Sequence, residues 1–246
     1  MTTQTSTTPD PAVPEPARGL VREWTVCALV RAATRFLPVP FLDDAVAERA
    51  TRIVVSRTLR TQRRGYPVSA LESLYTDEGG RRRGLLRRLV RKLLLFPVRK
   101  YSKVITAVHG VPNDIARVLL LGRATHRRLA LGELAGDDRD RLAREATEIR
   151  AALEQVVDEM DLKLLRGGIR DGLSQVKGLT GGVLSFARRR FTEGSAEAEA
   201  AAAQPEGAVA EGAEQVQRAL QRPEVVRLLE EFDRRMDARL SSARAT

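Results

Sequence analysis

Asp137 to Met160 reads DDRDRLAREATEIRAALEQVVDEM. The two aspartates can cap the free backbone N–H groups of a helix start. Leu142, Ala146, Ile149, Leu153, Val156 and Met160 then recur at alternating steps of four and three, a near-heptad seam along one side of an α-helix. A seam this short belongs to a packing edge within a bundle rather than to an extended coiled coil. The same periodicity appears on both sides of it. Upstream, Leu20, Val21, Trp24, Cys27, Ala28 and Arg31 lie at helical steps between Ala17 and Phe36, before Pro38 and Pro40 stop the helix. Asp43 and Asp44 start a second helix, which runs to about Arg64 and ends at Gly65. Pro67 to Tyr75 reads as a short helix or turn, and Gly79-Gly80 as a break. A long helix, bent at Pro97, is predicted from Arg81 to about His109, with Gly110 closing it and Pro112-Asn113-Asp114 starting the next, to about Leu131. Downstream, Leu165, Ile169, Leu173, Val176, Val183, Ala187 and Phe191 share one face, and Val226, Leu229, Phe232, Met236 and Leu240 form a stripe behind Pro223. No alternation of period two persists long enough for a strand. The predicted fold class is all-α, a multi-helix bundle.

Composition divides the 246 residues further. Residues 1–16 are Thr, Ser, Pro and acid with little to bury and read as a disordered tail. Residues 17–191 form the bundle. Residues 192–212 are rich in Ala, Glu and Gly and read as a linker, which makes residues 213–246 a tethered C-terminal amphipathic helix.

Charge is unevenly spread. Residues 1–136 hold 24 Lys/Arg against 11 Asp/Glu, a net of +13, and residues 137–246 hold 18 against 21, a net of −3. Such an asymmetry points one half at an anionic partner. Aromatic residues make up 4% of the chain, too few for base-stacking platforms. A single cysteine, Cys27, excludes an internal disulfide framework and suits a reducing compartment. The N-terminus carries no charged region followed by an apolar stretch, so no secretory signal is expected, and the longest apolar run falls far short of a membrane span.

The usual catalytic patterns are missing. The glycines at 178, 181 and 182 lack the lysine and preceding strand of a phosphate loop, and there is neither an HExxH nor a pair of CxxC motifs. His126 falls on the stripe of Ile115, Val118, Leu119 and Gly122 and reads as a core-edge histidine. His109 reads as a cap at a helix C-terminus beside Gly110. Cys27 reads as an inert core thiol, and Ser102 and Ser174 have no base within a helical turn. No catalytic residue, cofactor or metal ligand is assigned, and the chain reads as a binding protein rather than an enzyme.

The sharpest functional signal is Arg81 to Lys103. Its cations are Arg81, Arg82, Arg83, Arg87, Arg88, Arg91, Lys92, Arg99, Lys100 and Lys103, with no acidic residue among them. At 100° per residue Leu85, Leu86, Leu89, Val90, Leu93 and Phe96 fall on one side, and Arg87, Arg88, Arg91 and Arg99 on the other. That is the pattern of a helix lying in a membrane interface, apolar face down and cations at anionic headgroups. An ordinary bundle helix also has an apolar stripe, but solvated bundle faces usually mix charge signs. A second segment, Gly167 to Arg190, has two small-xxx-small spacings, Gly168/Gly172 and Gly178/Gly182, and reads as a broken helix with glycine hinges.

Leu37-Pro38-Val39-Pro40-Phe41-Leu42-Asp43-Asp44, followed by a helix ending near Gly65, resembles the Pro-x-Pro-x-x-Asp helix start of EcsC-like bacterial proteins. The resemblance covers residues 37–65. It implies a helical, membrane-proximal protein with no known chemistry.

The sequence therefore predicts a cytoplasmic helical adaptor or scaffold, attached through residues 81–103 to an anionic membrane surface at the inner face of the cell membrane. The alternative is a soluble module binding an acidic protein partner, with the stripe from Val226 to Leu240 as a partner helix and self-association through residues 142–160. Nucleic acid ranks below both, because a basic stripe interleaved with leucines wastes half its surface on a phosphate backbone.

Overall fold

The computed structural model describes residues 13–36, 42–76, 103–192 and 195–245. Ten α-helices occur among them, and no strand: α1 Arg18–Ala33, α2 Leu42–Thr61, α3 Glu72–Tyr75, α4 Lys103–Ala130, α5 Arg139–Glu159, α6 Lys163–Ser174, α7 Leu179–Arg190, α8 Ser195–Ala203, α9 Gly207–Leu220 and α10 Pro223–Arg244. Short 3-10 turns follow α1 (Thr34–Phe36) and precede α3 (Val68–Leu71). The all-α, multi-helix class read from the periodicity is the observed one.

The bundle is built around α1. Trp24 to Val30 is an unbroken run of seven buried residues, the signature of a helix covered on every side. α2, α4, α7, α8 and α9 all pack on it. Two polar side chains at its centre are satisfied internally. The Trp24 indole N–H donates to Thr58 Oγ1 at 3.0 Å, and Thr25 Oγ1 donates to the Val21 carbonyl at 2.8 Å. The crossing with α4 is close because Gly122 lacks a side chain, and a Cβ there would stand 2.6 Å from the Trp24 ring. Gly168 and Gly172 do the same between α6 and α9, where an added Cβ would sit 3.4 Å from Ala219 Cβ and 3.2 Å from the Gln215 carbonyl oxygen respectively. The small-xxx-small spacing is thus used between helices of one chain. The break between α6 and α7 falls at Gln175–Gly178, with Gly178 at φ 69°.

The seam and the C-terminal stripe close on one another. Asp138 caps α5, accepting from the N–H groups of Asp140 and Arg141. Leu142, Ala146, Ile149, Leu153, Val156 and Met160 are all buried, with α3 and α10 packed on α5. Those six positions are therefore occupied inside the chain.

Three further expectations need correction. Residues 192–212 do not act as a linker. They contribute α8 and the first part of α9, in which Ala198, Ala202, Val209 and Gly212 are buried. Small side chains let these helices approach α1, α2 and α6 closely, and that contact supplies the burial the composition lacks. The C-terminal helix is accordingly not a detachable module: Phe232, Met236 and Leu240 of α10 are core residues. Third, α4 runs without a break through Gly110 and Pro112, so His109 sits inside a helix rather than at its end. Proline sacrifices one ladder bond, but this turn is tied from outside. Gly110 leaves room for the Arg35 guanidinium, which pairs with Asp114 one turn further along.

Candidate functional site

Of the basic amphipathic segment, residues 81–102 lie outside the described residues, and Lys103 is the first residue of α4. Residues 1–12 of the N-terminal tail and Leu37–Phe41 of the EcsC-like stretch are likewise outside them. Within the tail, Glu15 is described and pairs with Arg123 at 2.9 Å. The partner-helix stripe is divided. Phe232, Met236 and Leu240 are spent in the core, while Val226 is 40% exposed and Leu229 is half-buried. These last two line an apolar opening of about 400 Å³ with Val21, Leu119, Leu165 and Leu220.

The arginines of the basic half fall into two groups. On α4, Arg117 pairs with Glu154 and Asp158 of α5, Arg123 with Asp233 at 2.8 Å, and Arg127 with Asp237 at 2.5 Å, the last two carboxylates both on α10. Arg128, the most deeply buried of them, pairs with Glu133 at 3.0 Å and with Asp237. Burial pulls its guanidinium below the usual arginine range, with Arg127 acting in the same direction. Burial also works against the Arg123 charge, but the bonds to Glu15 and Asp233 more than reverse it. Part of the charge asymmetry is therefore complementarity within the molecule, with carboxylates of the acidic half neutralising cations of the basic half.

The other group lies on α2. Arg49, Arg52, Arg57 and Arg60 line a cleft of about 570 Å³ between α2 and α8, with Ser56 and Glu199. Arg57 is held by Glu23 at 2.5 Å and Arg60 by Glu199 at 2.5 Å, which also accepts from Ser56 at 3.0 Å. Arg49 donates to the Phe191 carbonyl oxygen. Neither Arg49 nor Arg52 pairs with a carboxylate among the described residues, and Arg52 is exposed. Arg52 lies near enough to Tyr75 to favour ionisation of its phenol, although burial is the larger effect and raises the phenol overall. Tyr75 and Thr76 are the last described residues before 77–102. Arg52 thus lies near the end of the described stretch 42–76. Sequence reading had no means of singling out Arg49 and Arg52, because what distinguishes them from the α4 arginines is which carboxylates the fold brings near.

Two further candidates from the sequence, Cys27 and His126, are buried in the core. Cys27 is fully buried, and desolvation, reinforced by Glu23, pushes its thiol far above the usual range, so no thiolate nucleophile is at hand. His126 is buried with its ring edge-on to Trp24 at 6.3 Å. Desolvation lowers its basicity, and Arg123 adds to the effect. No three His, Cys, Asp or Glu side chains gather to hold a metal among the described residues, and no helix there is long and apolar enough to cross a membrane.

Fold and surface together define an all-α protein of ten described helices, with carboxylates meeting the α4 arginines and two arginines of α2, Arg49 and Arg52, without a carboxylate among the described residues. No family model, curated protein or solved structure matches the chain.

Proposed function

We propose that this protein is a non-enzymatic helical adaptor, held at the cytoplasmic face of a membrane by anionic lipid. The observation that carries the reading is the make-up of residues 81–103: ten cations, no acid, and Leu85, Leu86, Leu89, Val90, Leu93 and Phe96 on the side away from Arg87, Arg88, Arg91 and Arg99. Each cation near an anionic surface contributes about 1 kcal/mol. The α4 arginines already have carboxylates, so they add little to an outward field. Arg49 and Arg52 have none among the described residues, so they can add to a basic surface on the folded body.

Co-sedimentation of the full chain with phosphatidylserine-containing and pure phosphatidylcholine vesicles tests this. Binding to the anionic vesicles at low salt, lost at high salt and in an R87E/R88E/R91E variant, is the expected result. Equal affinity for both vesicle types, or wild-type binding by the variant, overturns it. Strong competition by duplex DNA would move the assignment to nucleic acid. A second reading, capture of a protein partner, draws on the apolar opening at Val226 and Leu229. Retained partner capture in V226E/L229E would remove it.

A further inference from the structure

We propose that the groove between α1, the end of α6 and the start of α7 binds a free fatty acid, with the alkyl chain along its floor and the carboxylate at Arg170. The groove has a volume of about 430 Å³, within the roughly 300–1,000 Å³ typical of small-molecule sites. Its walls are apolar: Leu29 from α1, Phe36 just beyond it, Leu173 and Val176 at the end of α6, and Leu179 and Val183 on α7. The break between α6 and α7 makes this recess. Gly178 turns the chain in a left-handed conformation, and Leu179 reaches inward to Gly212 of α9, where an added Cβ would stand 2.8 Å from Leu179 Cδ1. At the rim, Gly181 has no side chain, and a Cβ built there meets no atom within 4 Å.

Charge selects the occupant. Among the described residues Arg170 is the only charged one lining the groove, and no carboxylate lines it. It is exposed and makes no ion pair among the described residues, unlike the α4 arginines. A matching ligand is apolar along its length and carries one negative group at an end. An uncharged alkyl chain leaves Arg170 unused, and a small polar anion leaves the walls without a partner. One chain with a terminal carboxylate satisfies both. No described residue lining the groove belongs to 81–103, and fatty-acid binding and vesicle binding are read by separate experiments.

The test is titration of the full chain with dansyl-labelled undecanoic acid below its micelle concentration, displaced by laurate, dodecanol or butyrate. Saturable binding of one probe, displaced best by laurate, is expected. Losing a charge-assisted hydrogen bond in Arg170→Ala should weaken laurate about tenfold and leave dodecanol unchanged. Gly181→Leu places a side chain across the rim and should weaken both ligands about tenfold or more, whereas Gly181→Ala should bind like the parent. Thermal melting of each variant reports that it is folded, and Arg170, being exposed, offers a change that does not disturb the core. Wild-type laurate affinity in Arg170→Ala and Gly181→Leu alike overturns the proposal. So does non-saturable uptake, or binding of phospholipid vesicles with no binding of monomeric laurate. Absent laurate binding combined with a lower melting temperature in Gly181→Leu would show that the chain itself fills the groove, and would overturn it equally.

Discussion

Arg123, Arg127 and Arg128 on α4 each lie against a carboxylate brought in by α10 or the following turn, whereas Arg49 and Arg52 on α2 meet none among the described residues. The side chain is the same in both places, and both helices belong to the basic half of the chain. What differs is the surface the fold lays over them. α10, packed on α5, reaches α4 through Asp233 and Asp237. α8 covers α2 and brings Glu199, which is taken by Arg60 and Ser56. Local basicity alone did not tell which of these arginines would stand free, because the carboxylates that meet Arg123 and Arg127, Asp233 and Asp237, lie 110 residues further along the chain.

The largest test of this contrast removes the covering helix. Deleting residues 223–246 should abolish the cooperative thermal transition. It strips Phe232, Met236 and Leu240 from the core, side chains worth about 2–5 kcal/mol each on truncation, against a total stability of about 5–15 kcal/mol. A truncated chain that still melts cooperatively near the parent temperature would restore the picture of a detachable C-terminal helix.

Single substitutions sharpen the comparison. Asp233→Ala leaves the largely buried Arg123 with Glu15 as its one remaining carboxylate and should cost about 1.5–3 kcal/mol in urea unfolding. Arg52→Ala, at an exposed position with no ion pair, should stay within about 0.5 kcal/mol. Similar costs at the two sites would show that the α4 pairs are not the interior ties they are taken to be.

The smallest effect is a dependence on pH. His126 is lowered from its ordinary value of 6.5, chiefly by burial, in a setting that also includes Trp24, Arg123, Glu15 and Asp233. As pH falls below about 6.5 the unfolded chain takes up this proton before the folded one does, so stability declines until the folded pKa is also passed. Replacing His126 with Gln should flatten the melting temperature between pH 7 and 5, and an unchanged slope would assign it to other groups.

The helices with strong periodicity were legible because the pattern that announces them also buries them. All six seam positions of α5 and all seven apolar positions named between Leu165 and Phe191 are core residues. α8 and α9 were missed for a physical reason. Ala, Glu and Gly carry little apolar surface, so a low-complexity linker and a tightly packed small-residue helix have the same composition. The four-residue step from Ala198 to Ala202, and the steps from Val209 to Ala213 to Val216, were the only local signals. The stop at Gly110-Val111-Pro112 was over-read, since a distant pair, Arg35 and Asp114, holds that turn of α4.

By itself the sequence determined that this chain forms helices, which faces of most of them are apolar, and that its cations crowd into the first half and most densely into residues 81–103. Those properties are set by neighbours three or four residues apart, which any reader of the sequence can see. Only the tertiary structure decided which faces remain outside, which arginines are neutralised, and that a groove with one free guanidinium opens where α6 breaks from α7. Burial and ion pairing depend on what lies opposite in space, and here the opposite surface comes from the far end of the chain.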